Sequence, residues 1–192
     1  MVHNLQDLPS RKLKAENTLF FIEFLHLTSN LYFRFMHITL LCIGKTGKRF
    51  LEEGEQEYLK RLAHYIPTHM CVLPDIKQAK SLSEEQIKQK EGACFLEKIQ
   101  PTDAVFLLDE NGKQFDSVGF SKFLQEQFNR GGKQIFFLVG GPYGFSDAIY
   151  TRANGTISLS KMTFSHQMIR LFFLEQVYRG MTILKGEPYH HQ

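Results

Sequence analysis

Residues 158–180 read SLSKMTFSHQMIRLFFLEQVYRG: a strand end, a loop of small polar and apolar residues, and a long helix-period segment in immediate succession. Between about Ser165 and Leu184, Met168, Leu171, Phe172, Val177, Tyr178 and Met181 cover one broad side of this helix, while Ile169, Phe173 and Leu174 add apolar surface on others. A helix that is apolar around most of its circumference must be buried on more than one side. One sheet face covers only part of it. A second copy of the chain is the simplest further surface, so a homodimer with this helix at the interface is expected.

Immediately upstream, LVGGPYGFSDAIY at 138–150 follows the apolar run Gln134-Ile135-Phe136-Phe137. Glycines between a strand and a helix can bring backbone N–H groups against a ligand, with Ser146 and Asp147 as the cap and first turn of that helix. The same residues equally suit a tight strand-to-helix turn. The spacing is neither Gly-x-Gly-x-x-Gly nor a P-loop, which gives standard dinucleotide or triphosphate binding little support.

Strands are expected at His37 to Ile43, His69 to Leu73, Ala104 to Leu108, Gln134 to Val139 and Thr156 to Leu159. Helices are expected at Lys48 to Ala63, Ser83 to Ile99 and Ser117 to Arg130, the last with a core stripe of Phe120, Phe123, Leu124 and Phe128 and a stop at Gly131. The polar stretch from Asp75 to Glu91 holds a loop before its helix. This alternation predicts an α/β fold, a largely parallel sheet with helices on both faces. The chain of 192 residues suits one principal domain, residues 36–192. Residues 1–35 differ in composition: a polar, unpatterned start is followed by an apolar run broken by Glu23, His26 and Asn30, without a small-residue cleavage site. That argues against a signal peptide or membrane anchor and leaves a soluble helix, a loose tail or translated upstream sequence. The last is favoured, with Met36 as the initiator.

Cys42, Cys71 and Cys94 form no Cys-x-x-Cys pair, which points to reduced thiols in a cytoplasmic setting. A net charge of +3 is compatible with a nucleic-acid partner but falls short of a strongly basic footprint.

Taken with LVGGPYG, FLLDENGK at 106–113 and the ending GEPYHH, the quoted segment resembles the SPOUT-class methyltransferases that methylate the large ribosomal RNA at N3 of a pseudouridine. The resemblance runs from MHITLLCIGK to the C-terminus, in the family's order and spacing, and does not cover residues 1–35. It implies a SPOUT-type sheet whose C-terminal segment forms a trefoil knot, assembled as a homodimer. It also implies S-adenosyl-L-methionine as methyl donor, bound largely through the backbone of three loops. Carried over by position, the cofactor-binding residues are Leu108, Gly140, and Leu159, Ser160, Lys161, Met162, Thr163 and Phe164. The matching catalytic positions are Arg179, Tyr189 and His190.

Methyl transfer from a sulfonium requires alignment with the attacking nitrogen, loss of the imide proton and stabilisation of redistributed charge, and it requires no metal. His190 suits proton acceptance, Arg179 suits an enolate-like base or a phosphate, and Tyr189 suits stacking or hydrogen bonding. Tyr189-His190-His191 also reads as a solvent-exposed chain end. His166 reads as ordering the start of its helix, and Asp109 and Glu110 as leading into an Asn111-Gly112 turn. Lys45, Lys48 and Arg49 read either as a solvated helix end or as phosphate contacts. Modest charge favours ribosomal RNA presented by the assembled ribosome over naked RNA. Two rivals remain: a knotted methyltransferase with another nucleotide target, and a catalytically silent RNA-binding or assembly protein.

Overall fold

The computed structural model describes residues 36–132 and 134–190, so the expectations for residues 1–35 lie outside the described residues. Five strands form one parallel sheet: β1 (His37–Ile43), β2 (Thr68–Leu73), β3 (Ala104–Gln114), β4 (Gln134–Val139) and β5 (Gly155–Ser158), in the order β2-β1-β4-β3-β5. β1 and β4, HITLLCI and QIFFLV, lie inside the sheet and are buried on both faces after their first residue. Continuous apolar runs are what a parallel strand covered by helices on both sides requires.

The helices are α1 (Arg49–Leu62), α2 (Glu84–Leu96), α3 (Ser117–Asn129), α4 (Asp147–Arg152) and α5 (Met168–Leu184). α5 packs against α1 and α3, and the Phe173 ring lies 4.6 Å from that of Phe137 on β4. α2 packs with α4, and Phe95, Phe145 and Ile149 meet Leu41, Leu107, Phe136 and Leu138 in a second core. The expected stripe on α3 is core at Phe120, Leu124 and Phe128, and Gly131 follows that helix at φ +73°.

The loop expected from Asp75 is present, and two other local expectations change. The stretch from Asp75 holds one 3-10 turn, Ala79–Ser81, before α2 begins behind a capping box of Ser83 and Gln86. β3 continues through Asn111 and Gly112 instead of turning there, because β5 supplies a partner: Ile157 pairs with both Leu108 and Lys113, and residues 109–112 bulge between them. Ser146 stands at the N-cap of α4 but makes no capping hydrogen bond; its Oγ lies over Gly92, where an added Cβ would come within 2.3 Å.

The least expected core residue is Arg170, fully buried in α5. Its guanidinium donates to the carbonyls of Ile43 at 2.6 Å, Gly44 at 2.8 Å and His166 at 3.0 Å, and to Thr46 Oγ1 at 3.2 Å. Thr46 in turn donates to the buried carboxylate of Glu55, 2.9 Å from either oxygen. Burial raises the Glu55 carboxyl above its ordinary value, opposed by the Thr46 hydrogen bond and the Arg170 charge. A raised folded-state value means that the folded chain holds this proton more tightly than the unfolded chain. Glu55 therefore favours the fold below the usual carboxylate range of about 4.3, and its contribution is lost as pH rises towards the raised value. Glu55→Gln is expected to flatten the decline of the urea midpoint across that window; an unchanged pH profile would refute the assignment.

Candidate active site

The carboxyl ends of β3, β4 and β5 open onto one cavity of about 1000 Å³, the place where parallel α/β sheets bind ligands. Leu108 reaches it from β3 and Gly140 from the end of β4. Leu159, Ser160, Met162, Thr163 and Phe164 line it from the loop after β5. Lys161, between them, is exposed and lies outside the lining. Sheet topology thus brings together three loops, Leu108 lying 32 residues before Gly140 and Leu159 lying 19 after it, with all but one of the expected positions among them.

The walls are largely backbone. At Gly140 an added Cβ would sit 3.0 Å from Gly144 O and 3.3 Å from the Phe145 ring, so the chain after β4 closes tightly on itself. Gly141 and Gly144 form an isolated antiparallel bridge, and Gly144 takes a left-handed φ of +80°. In the loop after β5, Ser158 Oγ donates to the Ser160 carbonyl at 2.8 Å, and Ser160 Oγ accepts the Met162 N–H at 2.9 Å. These short-range bonds give the loop a fixed shape without a ladder.

Polar groups enter from residues that sequence reasoning assigned no site role. Asp109, on the β3 bulge, accepts the Tyr150 hydroxyl at 2.5 Å and the Asn111 N–H at 2.8 Å, tying the bulge to α4. Burial and then this bond push the Tyr150 phenol up. His166 also lines the cavity; burial and then the Arg170 charge hold its imidazole below the ordinary value, which favours the neutral ring. Glu91 lies buried behind Gly141 and does not line the cavity. A cavity with apolar Leu108, Ile157 and Leu159, several peptide edges, and carboxylates from Asp109, Glu110 and Glu84 suits a ligand with a flat ring and a cationic group.

Arg179, Tyr189 and His190 are not in this cavity. Arg179 follows Ile169, which does line it, by ten residues on α5, roughly 15 Å of helix rise. Gly186, at φ +68°, ends the helix and the tail folds back. Tyr189 packs edge-on against Tyr178 at 4.8 Å and beneath the Arg179 guanidinium at 4.8 Å. Its hydroxyl donates to Glu175 at 3.1 Å and lies 3.4 Å from the Tyr58 hydroxyl on α1. Glu175 also accepts from Arg179 at 2.5 Å, a bond that raises the already high Arg179 value. Burial and then the Tyr58 contact raise the Tyr189 phenol. The tail is therefore half-buried on α1 and α5, and Glu175 is the group that sequence reasoning missed here. Its position four residues before Arg179 was the available signal. His190 is half-buried beside it.

Among the described residues no cluster of three or more His, Cys, Asp or Glu side chains could hold a metal ion, and no helix is long and apolar enough to cross a membrane.

Residues 36–190 match a family described as "Predicted SPOUT methyltransferase". The chain is 57% identical over 157 residues to a protein of Flavobacterium johnsoniae named ribosomal RNA large subunit methyltransferase H, covering 82% of this chain and 100% of that protein. Proteins of the same name from Christiangramia forsetii and Parabacteroides distasonis are each 56% identical over 157 residues, with the same coverage of both chains. The parallel sheet, the three-loop cavity at its carboxyl edge and these full-length matches agree: the chain belongs to the SPOUT methyltransferase family.

Proposed function

We propose that this protein methylates N3 of a pseudouridine in large-subunit ribosomal RNA, with S-adenosyl-L-methionine as donor, as a cytoplasmic homodimer acting on the assembled ribosome. The observation that carries this reading is the cavity into which Leu108, Gly140 and the loop after β5 converge. The relatives' shared name, ribosomal RNA large subunit methyltransferase H, supports the substrate.

The residues present fit the donor. The glycine cradle at 140–144 lets a ligand reach peptide edges, apolar Leu108 and Leu159 suit an adenine ring, and the acidic rim at Asp109 and Glu110 suits a sulfonium and an ammonium. When bound, S-adenosylmethionine supplies a methyl group already activated by a positive sulfur. The loops orient and shield it, while the tail handles the base: His190 takes the imide proton, Arg179 stabilises the resulting anion, and Tyr189, held by Glu175, orders the two.

The separation between tail and cavity supports the dimer. Phe172 remains 44% exposed and Met162 76% exposed, with the Phe164 ring 5.0 Å from that of Phe172 and tilted at 46° to it, so an apolar face runs from α5 onto the rim of the cavity. A second copy on that face would bring its tail to the first copy's cavity, which one chain alone leaves incomplete. The C-terminal threading implied by the family suits a cavity that the loops after β4 and β5 line together. The relatives' full-length match over 157 residues supports the domain at 36–192, with Met36 as initiator; peptides from before Met36, found by mass spectrometry of the protein isolated from its own cells, would refute that start.

The test is incubation with labelled S-adenosylmethionine and either intact ribosomes lacking the modification or free ribosomal RNA. Label at N3 of one pseudouridine, faster on ribosomes, is the expected result; cofactor binding without label would favour a knotted methyltransferase with another nucleotide target, and failure to bind S-adenosylmethionine would favour the catalytically silent alternative. His190→Ala is expected to lower turnover by about 10²-fold or more with donor affinity unchanged. Full turnover in that variant would remove His190 as the base.

A further inference from the structure

We propose that Glu91 is a positioning residue for the cofactor: its buried carboxyl holds the Gly141 N–H and so turns the Gly140 carbonyl towards the cavity. This inference rests on the reading of that cavity as the S-adenosylmethionine site.

Glu91 is 4% exposed on α2, a helix that otherwise presents charged residues to solvent. The Gly141 N–H donates to its carboxyl, and Oε2 has no hydrogen-bond partner. A Cβ on residue 141 would come within 2.4 and 2.6 Å of the two carboxyl oxygens, so the acid sits directly against the glycine backbone. Among the described residues there is no cis peptide bond. In a planar trans peptide the N–H of Gly141 and the C=O of Gly140 point in opposite directions. Gripping one edge from behind orients the other edge. Glu91 does not line the cavity and Gly140 does, so the edge facing away from the acid is the one presented to the ligand.

An acid buried with one oxygen unpaired is costly to the fold and calls for an explanation beyond packing. Burial, with Asp75 adding to it, favours the neutral carboxyl over the charged form, while the Gly141 bond opposes this. A neutral acid still accepts the Gly141 N–H through its carbonyl oxygen. Glutamine preserves that acceptor, and leucine removes it while filling similar space.

The two variants therefore separate support of the loop from support of the fold. Glu91→Gln replaces the unpaired oxygen with an unpaired amide and is expected to melt lower, yet to bind S-adenosylmethionine like the unsubstituted protein. Glu91→Leu removes a desolvated acid and is expected to melt no lower, yet to bind about tenfold more weakly, the effect of one mispositioned acceptor. Amide exchange gives a readout that needs no ligand: Gly141 is expected to be protected in the unsubstituted protein and in Glu91→Gln, and to exchange quickly in Glu91→Leu. Calorimetric titration with S-adenosylmethionine and exchange followed by NMR test both.

Unweakened binding by Glu91→Leu, or rapid Gly141 exchange in the unsubstituted protein, overturns the proposal; the exchange measurement decides even if Glu91→Leu does not fold. Failure of the unsubstituted protein to bind S-adenosylmethionine, with Gly141 still protected, instead overturns the reading of the cavity and the positioning role with it.

Discussion

Replacing Arg170 with Met is expected to destabilise the protein by about 3–5 kcal/mol, the range for removing one partner from a buried charged network. Methionine retains much of the length and none of the donors. The carbonyls of Ile43 and Gly44 lie at the end of β1 and accept from Arg170 at 2.6 and 2.8 Å. Without it they lose their donor in a region shut off from water, and Glu55 loses its nearest compensating positive charge. Lysine should recover only part of the loss, because one ammonium cannot reproduce the fork that reaches Ile43, Gly44, Thr46 and the helix's own His166 carbonyl. Chemical denaturation would measure both variants. A midpoint for Arg170→Met equal to that of the unsubstituted protein would mean that the network contributes nothing net.

The second large effect is expected at Gly112. An added Cβ there would lie 2.5 Å from Ile157 N and 2.7 Å from the carbonyl carbons of Thr156 and Ile157, all backbone. No side chain can rotate out of the way. Gly112→Ala must push β5 off β3, and β5 is an edge strand with β3 as its one neighbour in the sheet. The cost is expected near about 3 kcal/mol, the upper part of the range for overpacking. Because β5 leads into residues 159–164 of the cavity wall, donor binding should weaken at least tenfold, about 1.4 kcal/mol. Calorimetric titration measures that. A variant that binds normally would show that the β3 bulge does not set the position of the loop.

Gly112 also shows how a local reading goes astray. Asp109-Glu110-Asn111-Gly112 has the composition of a turn, yet these residues form a bulge within β3, held at both ends because Leu108 and Lys113 pair with Ile157 of β5, more than forty residues away. The glycine has a tertiary reason, the close backbone of Ile157, and its near neighbours carry no sign of it. Ser146 is similar: the N-cap position was legible, and the contact of its hydroxyl with Gly92 was not.

Sequence alone determined the α/β class, the parallel strands and most helix positions, because apolar periodicity and cap residues act over a few neighbours. The continuous apolar runs of β1 and β4 announce strands covered on both faces, and the nearly all-round apolar α5 announces burial on several sides. Resemblance placed the cavity loops by position. Tertiary structure decided which charges serve as supports. Arg170 was one of two cations in a largely apolar helix, Glu91 one acid in a polar stretch, and Glu175 an ordinary partner for Arg179. Each gained its role from groups brought close by the fold: the end of β1 for Arg170, the chain after β4 for Glu91, and the returning tail for Glu175. Periodicity records which side of an element is buried. The identity of the polar atom waiting on that side depends on the path of the chain, and only folding specifies it.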